Sequence, residues 1–206
     1  MYVPTLFKET DVAEIHAAMR GARLANLVTS GPGGLIATPL PLFLDPSEGE
    51  HGVLYGHVAK ANPQWREGSG EALAIFQGPE AYVSPSWYAT KAETGKVVPT
   101  WNYVAVHAYG PVEFFHDVDR LLDAVTRLTD IHESGRDHPW AVADAPPDFV
   151  QSQLRGIVGL RMPITRLEGK RKLSQNRPAQ DRAGVAAGLA SSADPQDREV
   201  AAYIPS

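Results

Sequence analysis

The sequence predicts a mainly β fold with flanking helices, on three observations. Apolar runs of strand length recur at short spacing, separated by loops rich in Gly, Pro and Ser. One long segment, from about Val118 to Glu133, carries a clear helical period instead. The chain is 43% hydrophobic and 21% charged, a globular balance that fits neither a disordered nor a membrane-embedded protein.

The elements follow in order. Asp11 and Glu14 have capping-box spacing, and Val12, Ile15, His16 and Met19 recur on one helical face until Gly21. Leu24 to Thr29 and Leu35 to Leu44 read as a hairpin joined by Ser30-Gly31-Pro32-Gly33-Gly34. That glycine loop lacks the Gly-Lys-Ser/Thr ending and the following helix of a phosphate loop. Val53 to Ala59, Ala72 to Gln77, Ala81 to Ser84, and Thr100 to Phe115 with a break at Gly110-Pro111 add further strands, enough for a barrel or sandwich. The helix Val118 to Glu133, with Gly135 as its C-cap, is expected to lie across one side or end of the barrel. A proline-bearing loop holding Trp140 precedes a helix from about Asp148 to Val158, and Leu160 to Leu173 forms the last strand.

A chain of 206 residues is most simply a single domain, 1–206, with helical appendages. Residues from about 178 to 206 read as a C-terminal helix around Ala179 to Ala190 followed by a loose tail. No run reaches the roughly 18 to 20 apolar residues of a spanning helix, and Met1-Tyr2-Val3-Pro4 opens without a basic segment leading into an apolar one. The expectation is a cytoplasmic protein without membrane association. With zero cysteines, disulfides, thiolate metal sites and cysteine nucleophiles are excluded. A net charge of −5 argues against broad electrostatic binding to nucleic acid.

Three segments carry candidate chemistry. Leu167 to Arg177 holds four cations, Lys170, Arg171, Lys172 and Arg177, with Ser174, Gln175 and Asn176 between them. Charge-assisted and neutral donors in one stretch suit a phosphate, and a solvated turn of mixed charge is the plainer alternative. Gly56 to Pro63 places His57 and Ala59 on one strand face, with Lys60 and Asn62 where the chain turns. A small residue between histidine and lysine admits an anion, although a lone strand histidine commonly serves structure alone. In Ala37-Thr38-Pro39-Leu40-Pro41 the alternate prolines demand a strand edge. That edge either guards against aggregation or stays open for a ligand or partner, with the Thr38 and Leu40 N–H groups available to a flat polar ring. Trp87 and Trp101 lie in aromatic segments that could wall a planar ring or bury at a subunit interface.

Met1-Tyr2-Val3-Pro4, Gly56 through Trp65, Tyr82 through Tyr88, Lys96 through Tyr103 and Arg166 through Arg177 together resemble the PaiB family, and these motifs span nearly the whole chain. The resemblance implies an FMN-binding split β-barrel, related to pyridoxamine phosphate oxidase, that forms a homodimer with FMN at the subunit interface. It implies that His57, Ala59, Lys60 and Asn62 lie near the FMN phosphate and that Thr38 and Leu40 line the isoalloxazine ring. Lys172, Ser174, Gln175, Asn176 and Arg177 are implied to complete a polar wall, with Trp87 or Trp101 reaching across from the other subunit.

Family members are named as FMN-binding negative transcriptional regulators of protease synthesis and sporulation, so the first expected function is a regulator acting on DNA directly or through a protein partner. No helix-turn-helix spacing is present, so the regulatory label rests on resemblance alone. The alternative is an FMN-dependent oxidoreductase with a nicotinamide donor, in which the flavin carries the redox chemistry and no acid–base pair is required. A haem-binding split barrel, with His107 or His116 as ligand, is a minor alternative. His132 and His138 lack the accompanying carboxylates of a metal site, so none is assigned.

Overall fold

Strand β5, Val53–Ala59, shows how the sequence builds the fold. Leu54 and Val58 are buried on one face, and Tyr55 and His57 alternate onto the other. The computed structural model describes residues 1–205, with ten strands and seven α-helices among them. The other strands are β1 (Lys8–Glu9), β2 (Ala25–Gly31), β3 (Gly34–Leu40), β4 (Leu42–Asp45), β6 (Ser69–Val83), β7 (Thr100–Pro111), β8 (Glu113–Phe115), β9 (Ile157–Pro163) and β10 (Arg166–Lys172). They form a six-stranded sheet, β1-β10-β7-β6-β2-β3, and a four-stranded sheet, β4-β5-β9-β8. The fold is mainly β with flanking helices, as the apolar runs predict.

The helices are α1 (Val12–Gly21), α2 (Gln64–Glu67), α3 (Thr90–Thr94), α4 (Val118–Glu133), α5 (Pro147–Leu154), α6 (Ala179–Ala190) and α7 (Pro195–Tyr203). Asp117 caps α4 by accepting from the Arg120 N–H at 2.9 Å. Its C-cap is Ser134 rather than the expected Gly135. The expected loose end is instead α7, capped by Asp194 and anchored by Val200, which is fully buried. Its period is masked in the sequence by Ala and charged residues, and Val200 is the one buried apolar side chain it contributes.

Residues group into two compact units, one of Met1–Gly21, Gln77–Val106 and Glu168–Ser206, the other of Ala22–Phe76 and His107–Leu167. In the second, Leu54, Val58, Val158, Leu160 and Met162 are buried on one face of the four-stranded sheet. Each such side chain contributes roughly 1.5 to 3 kcal/mol relative to exposure. The opposite face lies under α4, where Phe43 and Tyr55 pack with Ala124 and Leu128, and Phe115 packs with Leu121 and Leu154. The hairpin β2–β3 is in register from Ala25 with Leu40 to Gly31 with Gly34. Strand β3 ends the order of the six-stranded sheet, the edge that Pro39 requires.

In the first unit, Ala81, Val83, Tyr88 and Leu173 form a core with Val185 and Leu189 of α6 and Val200 of α7. Helix α6 approaches closely because it presents glycine: a Cβ on Gly184 would stand 2.0 Å from the Trp87 carbonyl oxygen, and one on Gly188 2.4 Å from the Trp87 ring. Asp181, 1% exposed, accepts from the Thr90 N–H at 3.0 Å and the Thr90 hydroxyl at 2.8 Å, so α6 caps the start of α3.

Candidate functional site

The first group of predicted residues is built where β5 ends. Register pairs His57 with Gly159 and Gly159 with Phe115. A Cβ on Gly159 would meet the Phe115 ring at 2.3 Å, so the missing side chain lets that ring lie beside the histidine's cross-strand partner. Burial pushes the His57 imidazole below its usual range, and its Nδ1 is buried without a hydrogen-bond partner. The ring is therefore held neutral with one nitrogen unsatisfied.

The turn after Ala59 is tightly specified. The Lys60 N–H donates to Gly156 O at 2.8 Å, the Asn62 N–H to Ala59 O at 2.9 Å, and the Trp65 indole to Lys60 O at 3.0 Å. Asn62 Nδ2 donates to the Thr38 hydroxyl at 2.9 Å, and Asn62 Oδ1 accepts the Gln64 N–H at 2.9 Å. Thr38 and Asn62, 24 positions apart, are thus brought together as predicted site residues. Ala59 and Lys60 are exposed, and the Lys60 ammonium has no ion pair among the described residues. Leu40 is buried.

Gln64 was missed in the sequence. It is fully buried, and its Nε2 is directed at Leu27 O at 3.0 Å, Thr29 Oγ1 at 3.1 Å and Ile36 O at 3.2 Å, tying the turn to both strands of the hairpin. Its Oε1 is buried without a partner. The available signal was Pro63, the N-cap of the short helix Gln64–Glu67, which marks where the turn becomes helical.

The second group sits at the end of β10. Lys172 donates to the Thr100 hydroxyl at 2.5 Å and to the Trp101 carbonyl. Its ammonium is pushed below the usual lysine range, first by burial and then by Lys170 and Arg177. Ser174, two residues past the end of β10, turns the chain through the left-handed region at φ 63°. It is held there by a two-way exchange with buried Asn102: Nδ2 donates to Ser174 Oγ at 2.9 Å, and that hydroxyl donates to Oδ1 at 3.2 Å. Gln175 turns its amide onto its own backbone, accepting from the Leu173 N–H at 2.7 Å and donating to Arg171 O at 2.5 Å. Ser174 and Gln175 therefore shape the turn, with Lys172 partly committed to Thr100 and Trp101 and Asn176 exposed beside half-buried Arg177. The Arg177 guanidinium lies over the Tyr88 ring at 4.7 Å, and Tyr88 Oη is buried without a partner.

The two tryptophans differ. Trp87 is partly buried against α6, whereas Trp101 is 52% exposed with its ring edge-on to Tyr82 at 5.9 Å. Of the two histidines considered for haem, His116 packs edge-on to Trp65 at 4.9 Å, and His107 Nδ1 lies 3.3 Å from the Tyr109 hydroxyl.

The turn that ends β5, with exposed Lys60 three residues after an imidazole bearing an unsatisfied nitrogen, and a separate segment with Lys172, Asn176 and Arg177, carry donors suited to a phosphorylated ligand. Comparison with known proteins agrees with that chemistry. Residues 1–166 match the family described as "Putative FMN-binding domain". The chain is 36% identical over 203 residues to "Protease synthase and sporulation protein PAI 2" of Bacillus subtilis (strain 168), covering 98% of this chain and 95% of that protein. Among solved structures, the FAD and heme binding protein of Mycobacterium smegmatis superposes with a TM-score of 0.62 at 17% identity, covering 88% of this chain and 80% of that one. The flavocytochrome Anf3 of Azotobacter vinelandii gives 0.60 at 15%, covering 86% and 75%. These two likenesses concern the fold alone, two antiparallel sheets with flanking helices, with which a split barrel is consistent. On the sequence match over residues 1–166 and the near full-length identity to the Bacillus protein, this chain belongs to the PaiB-type FMN-binding family.

Proposed function

We propose that this chain is a homodimeric FMN-binding regulator that holds the flavin phosphate with Lys60 and His57. The observation that carries the reading is His57 Nδ1, buried and without a partner, three residues before exposed Lys60 in the turn that ends β5. A phosphate oxygen would supply the missing partner, since a neutral imidazole nitrogen bearing hydrogen donates to an anion. Asn62 and Thr38, fixed to one another at 2.9 Å, offer neutral groups, Asn62 on the phosphate side and Thr38 to the ring system. Lys172, Asn176 and Arg177 are proposed as a further wall of FMN contacts, Ala59 as the small residue that admits the phosphate, and Leu40 as an apolar neighbour of the ring. Ser174 and Gln175 support the wall by holding its turn.

FMN, when bound, supplies reversible electron transfer. The protein's part is to bind and orient it. Support for the homodimer comes from exposed Trp101, Tyr82 and Val98, apolar side chains suited to an interface. The regulatory role is proposed by membership in the family and by the relative's name, and a protein partner suits it better than duplex DNA. The net charge is −5, and on α4 Arg120 and Arg127 are spent on Glu113 and Asp45.

Comparing FMN with riboflavin tests the assignment. Phosphate-directed donors predict that FMN binds at least about a hundredfold more tightly, since charge-assisted hydrogen bonds are the strong ones. Equal affinity for both would remove Lys60 and His57 from the site.

A further inference from the structure

On the face of the four-stranded sheet beneath α4, register aligns Phe43, Tyr55, Arg161 and Glu113 in one cross-strand row. Between this row and α4 lies a cavity of about 400 Å³, within the size range of small-molecule sites. Three guanidiniums, of Arg120, Arg127 and Arg161, and three carboxylates, of Glu48, Asp119 and Asp123, line it, with the rings of Tyr55 and Phe115.

The charges are unevenly engaged. Arg161 is pinned, donating through Nε to the Tyr55 hydroxyl at 3.1 Å and through Nη2 to Glu48 at 2.9 Å, and Tyr55 donates to the other Glu48 oxygen at 2.7 Å. This closed triangle leaves Arg161 Nη1 without a hydrogen bond among the described residues. Across the cavity, Asp119 has no partner among the described residues, and Asp123 reaches Arg127 only at 4.0 Å. The cavity thus presents an oriented cation on its sheet side and under-used carboxylates on its helix side. Equal numbers of each sign give no net attraction for a simple anion or cation, whereas a molecule bearing both charges satisfies both sides.

We propose that this cavity binds a small zwitterion of the α-amino-acid kind. Its carboxylate is taken by Arg161, its ammonium by Asp119 and Asp123, and its apolar body lies against Tyr55 and Phe115. The proposal stands independently of the flavin reading.

Calorimetric titration of the full chain with L-phenylalanine, phenylacetate and phenethylamine tests it, because the last two each carry one of the charges. The expected result is saturable binding of L-phenylalanine, with each single-charge analogue weaker by about tenfold or more. Asp119→Asn, at an exposed position, is expected to weaken L-phenylalanine by about tenfold, and Arg161→Gln by at least as much. Should Arg161→Gln fail to fold, the exposed Asp119 variant carries the test. Prior saturation with FMN should leave the L-phenylalanine affinity unchanged. Absence of saturable uptake up to about 10 mM, phenylacetate binding as tightly as L-phenylalanine, or Asp119→Asn binding like wild type would each overturn the proposal.

Discussion

Asn62 Nδ2 donates to the Thr38 hydroxyl across 2.9 Å, joining the turn after β5 to the edge strand β3. One side chain thereby fixes the spacing between the segment carrying Lys60 and the segment carrying Thr38. Asn62→Ala removes both this bond and the acceptor for the Gln64 N–H. FMN affinity is expected to fall about tenfold, with the far-ultraviolet circular dichroism unchanged. Flavin fluorescence titration of the variant checks this, and wild-type affinity would separate the bridge from the flavin.

Gln64 predicts a stability effect instead. Gln64→Leu leaves two carbonyl oxygens and the Thr29 hydroxyl of the β2–β3 hairpin without this donor. The expected cost is about 2 to 3 kcal/mol, because buried acceptors lose their partner without regaining water. Urea unfolding at equilibrium measures it, and a loss below about 0.5 kcal/mol would show that the amide does not anchor the turn.

The contact between α6 and Trp87 depends on glycine. Gly188→Leu forces atoms into the Trp87 ring, where a Cβ alone would stand at 2.4 Å. Destabilisation of about 1 to 3 kcal/mol is expected, with a change in tryptophan emission and faster proteolysis after Arg177. Gly135→Ala, which meets nothing within 4 Å, serves as the neutral control in the same measurements.

Acid sensitivity follows from Asp45. Its carboxyl is lowered from 3.8 to about 2, first by the Ser47 hydroxyl at 2.6 Å and then by Arg127 at 2.5 Å. Because the folded pKa lies below the unfolded one, the stabilisation is complete above 3.8 and disappears as pH falls toward about 2. Asp45→Asn is expected to cost about 1 kcal/mol at neutral pH and almost nothing at pH values near the folded pKa. Chemical unfolding of both proteins across that window measures the difference.

Histidine 57 works in a higher window. Burial lowers its pKa from 6.5, so the native state resists a proton that the unfolded chain accepts. Stability is full above 6.5 and declines as pH drops toward the folded value. His57→Gln should flatten that decline, and a phosphate placed against His57 should raise its titration midpoint in the FMN complex. Proton NMR of the imidazole reads both, and an unmoved midpoint on adding FMN would contradict the contact.

Much of this was legible in the sequence where one period or one punctuating residue dominates. Val53 to Ala59 and Val118 to Glu133 appear with the expected bounds because alternation and amphipathicity there are uninterrupted. Leu35 to Leu44 is two strands, β3 and β4, because Pro41 interrupts the ladder, and the run from Leu160 is divided between β9 and β10 at Ile164 and Thr165 and ends at Lys172, one residue before Leu173. Conversely, Ala72 to Gln77 and Ala81 to Val83 belong to one long strand, β6, because Gly78 and Pro79 are accommodated within it, and Ser84 caps the turn that follows. The helix expected to reach Val158 stops at Leu154, since Ile157 and Val158 are taken into β9 as partners of β5. Cations and small polar residues marked the candidate segments. The commitment of Ser174 to Asn102, and of Gln64 to two strands, was not legible, because both depend on partners 72 and about 30 positions away in sequence.

The most direct test is a titration of purified protein with FMN, followed by flavin fluorescence alongside light scattering, for wild type and for Lys60→Ala. The account predicts saturation at one FMN per subunit of a dimer, and an affinity about tenfold or more weaker in the variant. A folded wild-type protein that takes up no FMN, or a Lys60→Ala variant that binds it as tightly, would contradict the assignment of the phosphate to His57 and Lys60.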